Sequence, residues 1–155
     1  MNEKTGIAVL GIGNPLCRDD GIGIRVISEM RDNDKYAGVD IIDGGTAPDL
    51  FSLLDENIKK LIIVDSLRGG GKPGKLYRLE IHGSNIADDT SPSLHGLGLL
   101  DSLKMMHKLG MQTPEMVIIG VEPADTSHGL QLTPEVEAVL PQVLGAIDRE
   151  LSSAY

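Results

Sequence analysis

The chain reads as an α/β domain of three layers, a mostly parallel twisted sheet with helices on both faces. Three observations predict this. Five short apolar runs are spread along 155 residues, and three of them are nearly continuous β-branched stretches, the pattern of strands buried on both faces. Helix-period stripes separate most of them, and strands alternating with helices favour a parallel sheet. Hydrophobic content is 41%, enough for a real core in a chain of this length. No repeat, low-complexity tract or linker divides the sequence, so residues 1–155 are expected to form a single domain.

The first strand is expected at Gly6–Gly11 (GIAVLG), and a helix follows in which Ile22, Val26 and Met30 share one face. Val39–Asp43 (VDIID) is the second strand. Thr46-Ala47-Pro48-Asp49 then resembles a capping box opening a helix with Leu50, Leu53 and Leu54 inward. Lys60–Asp65 (KLIIVD) and Lys75–Ile81 (KLYRLEI) are the third and fourth strands, and Gly83–Pro92 (GSNIADDTSP) is a polar surface loop. Leu99, Leu100, Leu103 and Met106 make a third helical stripe that Gly110 stops. Met116–Val121 (MVIIGV) is the fifth strand. The last helix opens at Thr133-Pro134-Glu135 and buries Val136, Val139, Leu140, Val143, Ile147 and Leu151. Pro141 falls inside that pattern and should kink or split it.

Composition excludes several functions. Aromatics are 3%, with no Trp and one Phe, which argues against base stacking on aromatic platforms. The net charge is −9 and the basic residues are scattered, which argues against nucleic acid and suits a cationic or metal-bearing partner. Cys17 is the only cysteine, so no intrachain disulfide forms. The opening MNEKTG has no apolar signal core, and no run approaches membrane-spanning length. A cytoplasmic protein with no membrane partner is expected.

Ligands of parallel α/β sheets gather beyond the carboxyl ends of the strands. Those ends carry GIGNPLCRDDGIG with Asp19 and Asp20, then Asp43-Gly44-Gly45-Thr46, then Asp65-Ser66, then Glu122-Pro123; His95 precedes the third helix. Two carboxylates and an imidazole make an open divalent-metal site suited to Zn²⁺ or Ni²⁺, at about 2.0–2.2 Å. The glycines Gly11, Gly13, Gly21 and Gly23 would let the loop turn tightly and let another chain approach. A phosphate fits less well. Asp20 would repel it, and the spacing departs from the G-x-G-x-x-G fingerprint.

Taken in order, GIGNPLCRDDGIG, IIDGGTAPDL, LIIVDSL, SLHGLGLLD and GVEP…LTPEV resemble the hydrogenase maturation proteases. These endopeptidases trim the C-terminal tail from nickel–iron hydrogenase large subunits. The resemblance implies that Asp20, Asp65 and His95 complete the coordination of nickel already inserted in the precursor. Nickel is then supplied by the substrate, and other divalent ions are expected to substitute for it. It also implies a catalytic role for Asp20 or Asp65, and a hydrogenase large-subunit precursor as partner.

Simple N-capping is the competing role for Asp20, and Asp19 is the expected cap of the first helix. Asp65 could merely bind loop amides, and a lone His95 could be structural. Asp43, Gly44, Gly45 and Thr46 are assigned to substrate binding, with backbone amides that take the tail as an added strand or clamp it; a plain strand-to-helix turn with a good cap is the competing role and accounts for most of the stretch. His128 is a minor candidate; His82 and His107 read as surface positions. Cys17 has no histidine near it in sequence and reads as a small hydrophobe. Two rival readings are a nucleotide-binding α/β module and a non-catalytic nickel chaperone.

Overall fold

The computed structural model describes residues 4–46, 50–81 and 104–153. Five strands form one sheet in the order β2-β1-β3-β5-β4. They are β1 (Ile7–Gly11), β2 (Asp40–Asp43), β3 (Lys60–Ser66), β4 (Leu76–Ile81) and β5 (Glu115–Val121). β1 runs parallel to β2 and β3, and β3 runs parallel to β5. Only β4 is antiparallel, pairing with β5 from Leu76 opposite Val121 to Ile81 opposite Met116. All residues of β1 and β3 are buried, and β5 is buried from its second residue onward. This is why these three runs are apolar without interruption, while the edge strands β2 and β4 are only partly covered.

The pleat divides the core into two layers. Val9, Ile62, Val64 and Ile119 face one side, where Ile22, Val26, Ile27 and Met30 of α1 (Ile22–Arg31) meet Val143 and Ile147. Ala8, Leu10, Leu61, Ile63 and Ile118 face the other. That side is covered by Met106 from the helix at 104–108 (α3) and by Leu53 and Leu54 at the end of α2 (Leu50–Leu53).

The last helix is split where proline requires it. α4 (Pro134–Glu137) ends, and α5 (Leu140–Ser152) begins with Pro141 in its first turn, where a missing N–H leaves no bond unmade. α3 stops at Gly110, whose φ is +71°. Gly110 N–H donates to the His107 carbonyl at 3.1 Å and Met111 N–H to the Met106 carbonyl at 3.0 Å, the two bonds of a glycine-terminated Schellman end. Several expectations fall outside the described residues: Ala47, Pro48 and Asp49, the Leu50 side chain, the loop at Gly83–Pro92, and Leu99, Leu100 and Leu103.

From β1 the chain returns to β2 on one flank, and β3 then lies on the other. The order reverses between β1 and β3, so their carboxyl ends flank the crevice where such sheets bind ligands.

Candidate active site

The loop after β1 is built to press against this crevice. A Cβ at Gly23 would collide with the carbonyl oxygens of Val64 and Ile12, and one at Gly13 (φ +142°) with the carbonyl of Asp20. Gly11 and Gly21 are enclosed by Gly23 and Pro15 in the same way. The expectation that these glycines admit another chain is therefore corrected. The close approach is intramolecular, and it lets α1 and its preceding turn sit directly on β1 and β3. Ile12 N–H donates to the Val64 carbonyl at 3.0 Å, which ties the loop to β3.

The two adjacent carboxylates of this loop point to different partners. Asp19 is fully buried. Its Oδ2 accepts from Ala124 N–H (2.8 Å), Asp125 N–H (3.1 Å) and the Thr133 hydroxyl (2.8 Å), and its Oδ1 from Thr133 N–H (2.8 Å). It does not cap α1, which has no side-chain cap. That assignment is corrected: Asp19 fastens the loop after β5 to the loop after β1. Partners more than a hundred positions away cannot be read from local spacing.

Asp20 does not cap α1 either. Its Oδ2 accepts from Asn14 N–H at 3.0 Å, and its Oδ1 receives a long hydrogen bond, 3.4 Å, from the Ser66 hydroxyl. Asp65, the residue before the last of β3, is fully buried, and its Oδ1 accepts from Ser66 N–H at 2.8 Å. Ser66 thus touches both carboxylates and holds them at one edge of the sheet. Its role was not legible in the sequence, where it stood only as the residue after Asp65.

His95 lies outside the described residues, as does His82. His128 and His107 are exposed, and Cys17 is half-buried. Among the described residues no three His, Cys, Asp or Glu side chains group closely enough to hold a metal ion. Asp20 and Asp65 offer two carboxylate oxygen donors, a set that would suit nickel or zinc only with an imidazole nitrogen beside it.

The turn after β2 joins the same rim. Asp43 Oδ1 accepts from Gly45 N–H at 2.8 Å, Gly44 N–H donates to the Gly11 carbonyl at 2.8 Å, and Gly13 N–H donates to the Gly45 carbonyl at 2.9 Å. The Gly44 and Gly45 amides are therefore engaged within the chain. Asp43 and Thr46 are the exposed side chains of the turn.

On the other flank, the buried Glu122 carboxylate accepts from Gly69 N–H (3.0 Å), Gly71 N–H (2.7 Å) and the Tyr77 hydroxyl (2.9 Å). Burial works to raise its pKa, but the Tyr77 hydroxyl and the amides of Gly71, Gly69 and Gly70 outweigh that and hold it below the usual value. This clamp shapes the loop between β3 and β4. Arg68 from that loop donates to the Thr126 hydroxyl at 2.7 Å. Loops after β1, β2, β3 and β5 are thus cross-linked around the Asp20–Asp65 edge.

Among the described residues no helix is long and apolar enough to cross a membrane. The hydrogenase maturation protease family model matches residues 24–150. The chain is 34% identical over 149 residues to the hydrogenase 2 maturation protease of Escherichia coli, covering 91% of this chain and 90% of that protein. It is 33% identical over 155 residues to the hydrogenase expression/formation protein HupD of Bradyrhizobium diazoefficiens, covering 92% and 76%. Its structure is similar to that of the hydrogenase maturating endopeptidase HybD from Escherichia coli, with a TM-score of 0.78 at 30% identity over 96% of this chain and 93% of that one. The chain belongs to the hydrogenase maturation protease family and is, by that membership, an endopeptidase.

Proposed function

We propose that this endopeptidase removes the C-terminal tail of a nickel–iron hydrogenase large-subunit precursor in the cytoplasm. It recognises the precursor through the nickel that the precursor already holds. The observation that carries this reading is the Asp20–Ser66–Asp65 arrangement at the β1/β3 crevice. Two carboxylates held by one residue offer oxygen donors at the place where the fold positions ligands. His95 is the third donor in this reading, assigned by its SLHGLG motif.

In this reading Asp20 and Asp65 hold the metal-bearing end of the precursor, so that the adjacent peptide bond rests in a fixed orientation. Orientation alone supplies a large part of the rate of such reactions. Hydrolysis adds water across that bond: the water oxygen joins the carbonyl carbon, the carbon–nitrogen bond breaks, and a proton passes to the departing amine. A divalent ion polarises a nearby carbonyl and acidifies water when bound. Asp20 or Asp65 accepts the water's proton across a hydrogen bond. Asp43, Gly44, Gly45 and Thr46 form the neighbouring wall and contact the tail through the side chains of Asp43 and Thr46.

The test is a set of three variants, Asp20→Asn, Asp65→Asn and His95→Ala, assayed on a nickel-loaded precursor by intact mass. Each is expected to lower the cleavage rate at least about a hundredfold with the thermal midpoint near that of the unaltered protein. Full activity in all three would end the site assignment. Metal binding with no mass loss in any precursor would favour a nickel chaperone.

A further inference from the structure

We propose that Leu16 and Leu130 form an apolar subsite that seats an apolar side chain of the precursor segment flanking the scissile bond. This rests on the protease reading above and adds the residues that select the segment.

Five large apolar side chains are exposed among the described residues, and Leu16 (59%) and Leu130 (80%) are two of them. A single exposed leucine needs no explanation. What sets this pair apart is its placement. The leucines come from opposite ends of the chain, yet their loops are joined backbone to backbone. Gly129 N–H donates to the Leu16 carbonyl at 2.9 Å and Arg18 N–H to the Gly129 carbonyl at 3.0 Å. Cys17 and Gly129 form a parallel bridge between them.

The ledge is also braced by its own packing. Arg18 adopts φ +47°, and it is the non-glycine residue with positive φ among the described residues. Its side chain lies over Gly129, where a Cβ would come within 2.7 Å of the guanidinium carbon. Asp19, next in sequence, holds Ala124, Asp125 and Thr133. Both leucines are therefore displayed on loops that do not have to order on binding, which lowers the entropic cost of a contact.

The ledge is continuous with the carboxylate edge through one residue. Leu16 N–H donates to Asn14 Oδ1 at 2.9 Å, while Asn14 N–H donates to Asp20 Oδ2 at 3.0 Å. A peptide held beside Asp20 runs past Asn14 onto Leu16 and Leu130. That continuity favours the precursor segment as occupant over a second copy of this chain.

The experiment is steady-state cleavage of the nickel-loaded precursor by the double variant L16D/L130D, by L16M/L130M, and by L109D. Leu109 is 63% exposed at the end of α3 and controls for charge at an exposed leucine. The proposal expects KM to rise about tenfold or more in L16D/L130D, with kcat within about twofold. L16M/L130M and L109D should stay close to the unaltered protein, because methionine preserves apolar contact. A KM for L16D/L130D within about twofold of the unaltered value overturns the proposal. So does an equal rise in L16M/L130M. If L16D/L130D instead shifts the sedimentation coefficient and leaves KM alone, the ledge belongs to a second copy and the proposal is overturned. An unaltered protein that leaves the precursor uncut removes the protease reading and this proposal together, whereas cutting with an indifferent L16D/L130D removes this proposal alone.

Discussion

Asp19→Asn exchanges one carboxylate oxygen for an amide nitrogen and should separate the two adjacent aspartates by function. Asp19 is fully buried and accepts four hydrogen bonds, three at Oδ2 and one at Oδ1. The asparagine oxygen can take the Oδ2 position, and its NH₂ then confronts the N–H of Thr133 at the Oδ1 position. One bond to a charged acceptor is lost, worth about 1.5–3 kcal/mol, and the remaining three weaken as the charge disappears. A buried donor is also left facing a donor. Together these place the cost at about 3 kcal/mol. For a domain of this size that lowers the thermal midpoint by about 6–12 °C. Urea unfolding followed by circular dichroism measures the same quantity through its midpoint at constant slope. Asp20→Asn, measured in parallel, should change stability by less than about 1 kcal/mol while abolishing cleavage. If Asp19→Asn stays within about 0.5 kcal/mol of the unaltered protein, the bracing role derived for Asp19 is wrong.

Other expectations concern the rest of the scaffold. Gly23→Ala places a methyl group against two backbone carbonyls; it should cost about 3 kcal/mol or more, read by the same urea titration. At the opposite end of β3, Lys60 Nζ lies 3.3 Å from Glu150 Oε1, and Arg78 Nε donates to Glu150 Oε2 at 2.9 Å. Arg78 foremost, then Lys60, hold the Glu150 carboxylate below its ordinary pKa against the opposing effect of burial. The folded pKa is lowered, so this contribution is complete above the ordinary glutamate value and fades as pH falls through the lowered one. Glu150→Gln should therefore cost about 2–3 kcal/mol at pH 7, moderated by the half-exposed Arg78. Stability measured between pH 7 and pH 3 should fall less steeply in this variant than in the unaltered protein.

The sheet was legible because β1, β3 and β5 are buried on both faces, and that burial demands uninterrupted apolar runs. Strand order and the antiparallel setting of β4 were not legible, because pairing depends on contacts far apart in sequence. Pro141 and Gly110 gave correct signals, since each acts through its own backbone. The tight turn expected of the first loop's glycines was read correctly, but what approaches them was misread. Close approach is visible in sequence, and the identity of what approaches is not. Asp20 and Asp65 could be singled out as acids at strand ends, whereas Asp19 could not be told from a helix cap. Its partners at Ala124, Asp125 and Thr133 are joined to it only by the folded chain. Ser66, Asn14 and Glu122 lay inside the quoted motifs, but nothing local to those motifs showed what each side chain would touch, and Tyr77 lay outside them.

The most direct measurement is the intact mass of a hydrogenase large-subunit precursor incubated with this protein, with and without nickel loaded beforehand. The nickel-loaded precursor should lose its C-terminal tail while the nickel-free precursor keeps its full mass. Equal cutting of both forms, or cutting of neither, would contradict recognition through the metal.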